Sequence, residues 1–339
     1  MNSAAEAESQ DRPDVTIIMS VFNDAPWLQT TLAAMFAQTH RDFELLIIDD
    51  GSTDNTPEIL KRFSDNRLRW IRHDARMGWL ASMNKLATIA GGQLLKFHCP
   101  DDVLEPSALE RAVAFYRRHP DVGYIFCDYY VIDENGIRLA ERPVRAFTEV
   151  IQRHVADELA LHDGCFANTS CLFVPREKFL AAGGMRDVTR HNPERWPTVE
   201  DYELMVRLQQ NNDVGYIPAQ LVAVRAHPMQ VQANNSAQLL SLEGVLFIQR
   251  ELAGRMIAAA PHEARRIKDG KTDKIARDHF HHVIRQALRG ERRHAWNMLG
   301  ILRHDESLSR LLVAWLKTSA LPALERRFWR LALRARPSR

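Results

Sequence analysis

Phe43-Glu44-Leu45-Leu46-Ile47-Ile48-Asp49-Asp50-Gly51-Ser52-Thr53-Asp54-Asn55-Thr56 is the stretch that decides the fold. An apolar run ending in two carboxylates, a glycine and short hydroxyl residues is the pattern of a buried strand. Such a strand delivers polar groups to the carboxyl edge of a sheet, where open α/β folds bind ligands. The pattern recurs where Val15-Thr16-Ile17-Ile18-Met19-Ser20-Val21 runs into Phe22-Asn23-Asp24. It recurs again where Leu94-Leu95-Lys96-Phe97 runs into His98-Cys99-Pro100-Asp101-Asp102. Three polar strand tips on one edge frame a site of nucleotide size.

The segments between these strands carry helix patterns. Asn23 or Asp24 is expected to cap a helix with Pro26 in its first turn and Leu28, Leu32, Met35 and Phe36 on one face. Pro57 opens a second helix, residues 68–71 read as a short strand, and residues 79–90 read as a third helix closed by Gly91-Gly92. This alternation predicts an α/β fold with a mostly parallel, Rossmann-like sheet and helices on both faces. Beyond it, helices are expected over 106–118, 150–161 and 199–210, and strands over 122–132, 169–174 and 221–224. Glu134-Asn135-Gly136 suggests a hairpin. The expected organisation is a disordered tail over 1–13, an α/β domain over 14–235 and a helical region over 236–339.

At 339 residues and 45% hydrophobic, the chain can bury one domain of about 200 to 250 residues with an appendage. A formal net charge of +2 gives no general attraction to nucleic acid, and none is expected as a partner. The polar, acidic start does not read as a secretory signal, and no apolar run approaches the roughly 18 residues of a membrane span. A cytoplasmic or peripheral membrane location is expected. The four cysteines show no CxxC pairing and read as free thiols.

Asp101-Asp102 offers hard oxygen ligands suited to Mg²⁺ or Mn²⁺, which would in turn grip a diphosphate. The same pair would also serve as a cap for the helix at Pro106. Two acidic turns, at Asp49-Asp50 and Asp101-Asp102, would repel each other unless a cation or hydrogen-bond donors lay between them. Glu200-Asp201 opens a helix, and Thr198 with Asp201 approximates a capping box. His227 follows the strand over 221–224, while His279, His281 and His282 read as a solvated helix face.

In series, these segments closely resemble glycosyltransferase family 2: residues 15–23, Gln38-Thr39, the stretch 42–56, Gly78, Asn84, Asp101-Asp102, Gly183-Gly184, Glu200-Asp201 and Arg225-Ala226-His227. The resemblance implies a GT-A fold and an inverting, metal-dependent enzyme of the hexosyltransferase type that uses a nucleotide-diphosphate sugar. By the same resemblance Ser20, Phe22, Asn23, Asp50, Ser52 and Asn84 contact the donor, with Phe22 stacking on the base and Asp50 accepting from its ring N–H. Asp101 and Asp102 would hold the ribose and the metal, with Asp102 as the direct ligand and His227 beside the diphosphate or in the metal shell. Asp201 would be the general base. Two departures stand out: Cys99 where the family often has a further acid, and Ser82-Met83-Asn84 where it frequently has Ala-Arg-Asn.

The donor expected is a UDP-sugar, and the acceptor a hydroxyl of a glycan or a lipid-linked sugar in bacterial surface polysaccharide synthesis. A nicotinamide dehydrogenase is disfavoured, since no G-x-G-x-x-G follows the first strand, and a nucleotidyltransferase lacks its glycine-rich basic loop. A non-catalytic, sugar-nucleotide-binding member of the same fold is the remaining rival. Near the C-terminus, Leu324, Phe328, Trp329, Leu331 and Ala332 share one side of a helical wheel, with Arg326, Arg327, Arg330 and Arg334 on the other. That segment reads either as a packed helix or as one that adsorbs to an anionic membrane surface.

Overall fold

The computed structural model describes residues 12–140, 143–163, 165, 167–189, 199–230, 235–275 and 292–305. It divides into two compact units, residues 1–252 and 253–339.

The first unit is built on a mixed sheet. Its strands are β1 (Val15–Val21), β2 (Phe43–Asp49), β3 (Leu68–Arg72), β4 (Leu94–Phe97), β5 (Val103–Leu104), β6 (Ile125–Ile132), β7 (Arg138–Ala140), β8 (Val150–Ile151), β9 (Leu172–Pro175) and β10 (Val214–Arg225). The order across the sheet is β3-β2-β1-β4-β9-β6-β10-β5, with β7 on β6 and β8 on β10. β3, β2, β1 and β4 are mutually parallel, and β6 and β10 are parallel to each other. β9 runs antiparallel to both β4 and β6, so it reverses direction between two sets of strands that point the same way. The carboxyl ends of β1, β2, β4, β6 and β10 therefore share one edge with the amino end of β9.

Side chains alternate across each strand and sort the core into two faces. Val15, Ile17 and Met19 of β1 and Leu45 and Ile47 of β2 pack with α1 (Ala25–Phe36), α2 (Thr56–Arg62) and α4 (Ala108–Arg118). Ile18, Leu46 and Ile48 face the other way, onto α3 (Trp79–Ile89), α5 (Arg153–Asp163), α6 (Arg176–Ala181) and α7 (Glu200–Leu208). The expected α/β sheet with helices on both faces is present.

Three local expectations are corrected by tertiary contacts. Residues 150–151 pair with β10 as a short strand before α5 begins, because Val214 and Gly215 present a free edge there. Residues 169–171 form a 3-10 turn, since the Asn168 side chain accepts the Ser170 N–H at 2.8 Å and pulls the chain out of extension. The first turn of α1 is not capped by its own Asp24, whose Oδ2 accepts the Phe22 N–H instead. Asp54, in the acidic turn after β2, accepts the Ala25 N–H at 3.1 Å. The hairpin between β6 and β7 forms as expected, with Gly136 at φ +86.

Helix α8 (Asn235–Ala259) leads out of the first unit. The second unit holds α9 (Ala264–Ile275) and α10 (Arg292–Asp305), with Ile267, Met298 and Leu302 buried. His279, His281, His282 and the segment 322–334 lie outside the described residues.

Gly92 is fixed by the start of β1. A Cβ there would lie 2.4 Å from the Thr16 nitrogen and 2.6 Å from the Val15 carbonyl carbon, both backbone atoms. At Gly91 the nearest atom is the Glu44 side-chain oxygen, at 3.2 Å. Gly92→Ala is expected to lower stability by about 1–3 kcal/mol, the usual cost of overpacking, and Gly91→Ala by clearly less. Urea midpoints of the two variants measure the difference.

Candidate active site

The first two strand tips are stitched to each other. Asn23, at φ +59, uses Oδ1 to accept the Thr53 N–H at 2.8 Å, and its own N–H donates to Ser52 Oγ at 3.0 Å. Thr56 Oγ1 accepts the Asp24 N–H at 3.0 Å. Ser52 is thus buried within the turn. The acidic pair at the end of β2 is supplied with donors. Asp49 accepts the Ser52 N–H and faces Arg72 Nε at 3.4 Å. Asp50 accepts the N–H groups of Met77 (2.8 Å) and Gly78 (2.7 Å) and lies 2.9 Å from His73 Nδ1. Asp50 therefore anchors the loop that starts α3, and a carboxylate's four or so acceptor positions leave Oδ2 able to take a further donor. Phe22 is half exposed at the edge, with the Arg76 guanidinium 4.5 Å from its ring centroid, and Ser20 is buried beneath. The Asn84 amide clamps Met185 through both backbone groups, at 2.9 and 3.0 Å, beside the Gly183-Gly184 turn.

The second acidic pair is treated differently. Asp101 and Asp102 do not cap α4, because β5 intervenes and pairs with β10. Asp102 Oδ1 accepts the Arg225 N–H at 3.0 Å. The Arg225 side chain is buried and donates to the carbonyls of Asp101 (2.8 Å), Asp133 and Glu134 (both 3.0 Å). His227 Nε2 lies 2.9 Å from Asp101 Oδ2, and its ring lies against Trp27, tilted by 35° with centroids 3.9 Å apart. Behind the pair, buried Lys96 donates to the carbonyls of Phe97 and Ser170.

Burial first, and the charge of Asp101 second, push the Asp102 carboxyl up to about 7. Two adjacent carboxyl groups in this state lack positive charge. Cys99 Sγ and one oxygen each of Asp101 and Asp102 lie within 4.8 Å of one another. That donor set fits a divalent cation, with His227 adjacent. Among the described residues the other such group, Asp14, His40 and Asp42, lies at the start of β1, away from the strand tips.

The 3-10 turn joins this group to the base candidate. The Ser170 hydroxyl accepts the Cys99 N–H at 2.9 Å and bonds the Asp102 side chain. The Thr169 hydroxyl donates to Asp201 Oδ2 at 2.6 Å. Asp201 sits in the first turn of α7 but does not act as a cap for it; Oδ1 accepts the N–H of the next residue, Tyr202, at 2.7 Å. Burial raises the Asp201 carboxyl, against the opposing bonds from Thr169 and Tyr202. Thr198 lies outside the described residues. Sequence reasoning missed Lys96, Thr169 and Ser170. The signals were a lysine inside an apolar strand and an Asn168-x-Ser170 turn read as the start of a strand.

A cavity of about 400 Å³, lined by Arg118, His119, Asp121, Arg153 and Asn212 among others, lies at the opposite edge, where β6 and β10 begin.

Acidic strand tips at one sheet edge, with a carboxylate pair linked through the Thr169–Cys171 turn to a further carboxylate, form a site at the place where open α/β sheets bind ligands. Residues 16–180, just under half of the chain, match the model of Glycosyl transferase family 2. An uncharacterized glycosyltransferase of Methanocaldococcus jannaschii is 28% identical over 168 residues, 48% of this chain and 58% of that protein. The chain thus spans little more than half of that relative's length. The Escherichia coli UDP-Glc:alpha-D-GlcNAc-diphosphoundecaprenol beta-1,3-glucosyltransferase WfgD is 24% identical over 247 residues, 70% of this chain and 88% of that one. The crystal structure of S. aureus TarS 1-349 in complex with UDP-GlcNAc has a similar fold, with a TM-score of 0.64 and 16% identity over 89% of this chain and 83% of that one. Among the described residues no helix is long and apolar enough to cross a membrane.

Asp24 stands between the two acidic groups. Burial first, then the charges of Asp101, Asp54 and Asp49, push its carboxyl up to about 8 against the lowering bond from the Phe22 N–H. The unfolded chain releases this proton at the ordinary value of 3.8, so it binds fewer protons than the folded chain between 3.8 and about 8. Stability attributable to Asp24 is therefore lost as pH rises through that window. Asp24→Asn is expected to be more stable than the parent by a margin that is larger at pH 8 than at pH 5. Paired thermal melts at the two values, without added cation, measure it.

Proposed function

We propose that this protein is an inverting glycosyltransferase that moves a sugar from a UDP-sugar to a hydroxyl of a glycan or lipid-linked saccharide. The observation that carries the reading is the turn Thr169–Cys171, which ties the Cys99, Asp101 and Asp102 group to Asp201 through two adjacent hydroxyls. A donor's diphosphate at the first group then lies near the Asp201 carboxylate, which among the described residues is bonded by the Thr169 hydroxyl and the Tyr202 N–H and by no lysine or arginine.

Phe22 offers its half-exposed ring to the base, and Asp50 Oδ2 its remaining acceptor position to the base N–H. Asp201 takes the proton of the acceptor hydroxyl as its oxygen attacks the anomeric carbon, and the bond from that carbon to the diphosphate oxygen breaks on the opposite side. Asp102, Asp101, Cys99 and His227 would hold a divalent cation, which would supply counter-charge to the departing diphosphate. Lys96 stands behind Asp102, its own ammonium form disfavoured by burial. Asn84 is given no donor role, since Met185 occupies its amide. The lipid-linked acceptor is supported by the relative WfgD, whose name specifies a diphosphoundecaprenol-linked one.

Asp201→Asn is expected to reduce transfer by about 10²-fold or more while leaving UDP affinity unchanged, because the base acts on the acceptor alone. Asp102→Asn should weaken donor binding as well. Nucleoside diphosphate release from a panel of activated sugars, together with calorimetry, reads both. An inactive Glu200→Gln beside an active Asp201→Asn moves the base to Glu200, and parent protein that binds UDP-sugars without turnover identifies a binding protein.

The sequence over 322–334 supports a second element of the reading, adsorption to an anionic membrane surface where lipid-linked acceptors reside. Full-length protein is expected to co-sediment with anionic vesicles at low salt, and a truncation ending at Ser319 to remain in solution. Equal binding of the two, or none, removes this element.

A further inference from the structure

We infer that Cys99 is a direct ligand of the cation at the Asp101-Asp102 group, and that this thiolate makes the site favour thiophilic divalent ions such as Co²⁺, Cd²⁺ or Zn²⁺ over Mg²⁺. The inference rests on reading that group as a metal site.

Cys99 stands where the resembling family often carries an acid, so a metal shell that loses a carboxylate is offered a sulfur at the same place. The geometry is suited to it. Protein ligands hold an ion of this size at about 2.0–2.3 Å, so two donors on opposite sides of one ion lie about 4.0–4.6 Å apart at most. Three donors already within 4.8 Å reach that by small side-chain adjustments. The backbone of Cys99 is fixed by the Ser170 hydroxyl, the same group that bonds Asp102. One side chain thus sets the relation between the sulfur and the carboxylate.

A cysteine reaches one bond less far from its Cβ than an aspartate does, and a zinc–sulfur bond exceeds a zinc–oxygen one by about 0.1–0.3 Å. Sulfur therefore makes up part of the shorter reach. The exchange conserves ligand charge but changes its softness, and thiolate prefers zinc-like ions where carboxylate and water prefer Mg²⁺ and Mn²⁺. A structural account of Cys99 as a small core residue predicts none of this. Cys127 and Cys171, which are buried in the core, meet that description, whereas Cys99 is only partly buried and faces two carboxylates.

The test uses full-length protein freed of metal with chelator and titrated with Co²⁺ alone. The expected result is a near-ultraviolet thiolate-to-cobalt charge-transfer band that saturates at equimolar metal. The band should be lost in Cys99→Ser and kept in Cys165→Ser, with circular dichroism confirming that both variants fold. The Asp14, His40 and Asp42 group contains no sulfur and is silent in this readout. In competition, Cd²⁺ should displace Co²⁺ at far lower concentration than Mg²⁺. Cys99→Asp should narrow that gap by about tenfold or more, the lower end of what even an indirect metal partner is worth. Calorimetric binding of Co²⁺ with no charge-transfer band overturns the ligand role of Cys99 and leaves the metal reading standing. Absence of binding by Co²⁺, Mn²⁺ and Mg²⁺, with and without UDP, overturns both.

Discussion

Arg225 ends the longest strand of the sheet and holds its edge together. Its N–H reaches Asp102, while its guanidinium reaches the carbonyls of Asp101, Asp133 and Glu134, so one buried side chain binds the tips of β4, β6 and β10. A buried charge is costly unless its donors are satisfied, and here most of them are met by carbonyl oxygens in place of carboxylates. The carboxylates of Asp101 and Asp102 are consequently not neutralised by the nearest guanidinium, which braces their backbone and leaves their charge facing the cleft. The polarity of the site follows from that division of labour. His227, two residues on, inherits its position from the same anchor and meets Asp101 from the far side.

The two acidic turns look alike as text and differ as chemistry. At the end of β2 the carboxylates are occupied by N–H groups of Ser52, Met77 and Gly78, which makes Asp49 and Asp50 organisers of loops as well as candidates for ligand contact. At the end of β4, Asp102 receives one backbone N–H and a hydroxyl, and its carboxyl is held high by burial and by Asp101. The mutual repulsion foreseen from the sequence is thus relieved by donors at the first turn, and persists as a demand for positive charge at the second.

The strands were legible because continuous apolar runs such as β1 and β2, ending in polar tips, mark strands covered on both faces. The acidic tips were legible because the ends of parallel strands share an edge. The turn at Thr169 and Ser170 was not, since its conformation depends on one local bond from Asn168 and its meaning on partners about 30 and 70 positions away in the chain, Asp201 and Cys99. A lysine inside an apolar strand marked Lys96 as unusual, but its partners, the carbonyls of Phe97 and Ser170, are set by the fold. Asn84 has a partner that the sequence did not show, since the backbone of Met185, 101 residues distant, pairs with its amide.

The reversed strand β9 has a consequence for how the molecule comes to be made. β1, β2 and β3 arise from consecutive strand–helix units and pair with their neighbours in the chain, but β4 returns to β1 across 79 residues and β9 has to enter between β4 and β6. Its leading turn closes contacts across 71 residues to Cys99, and β10 closes one across 123 residues to Asp102. Such distant closures are slow steps, because chain entropy is lost before the contacts reward it. The half of the sheet bearing Phe22 and Asp50 can thus be laid down early, while the carboxylate group and its link to Asp201 come into existence only when the sheet is sealed. A ligand that spans both halves would therefore recognise the finished chain and no earlier form, and would draw the folding equilibrium toward completion by mass action.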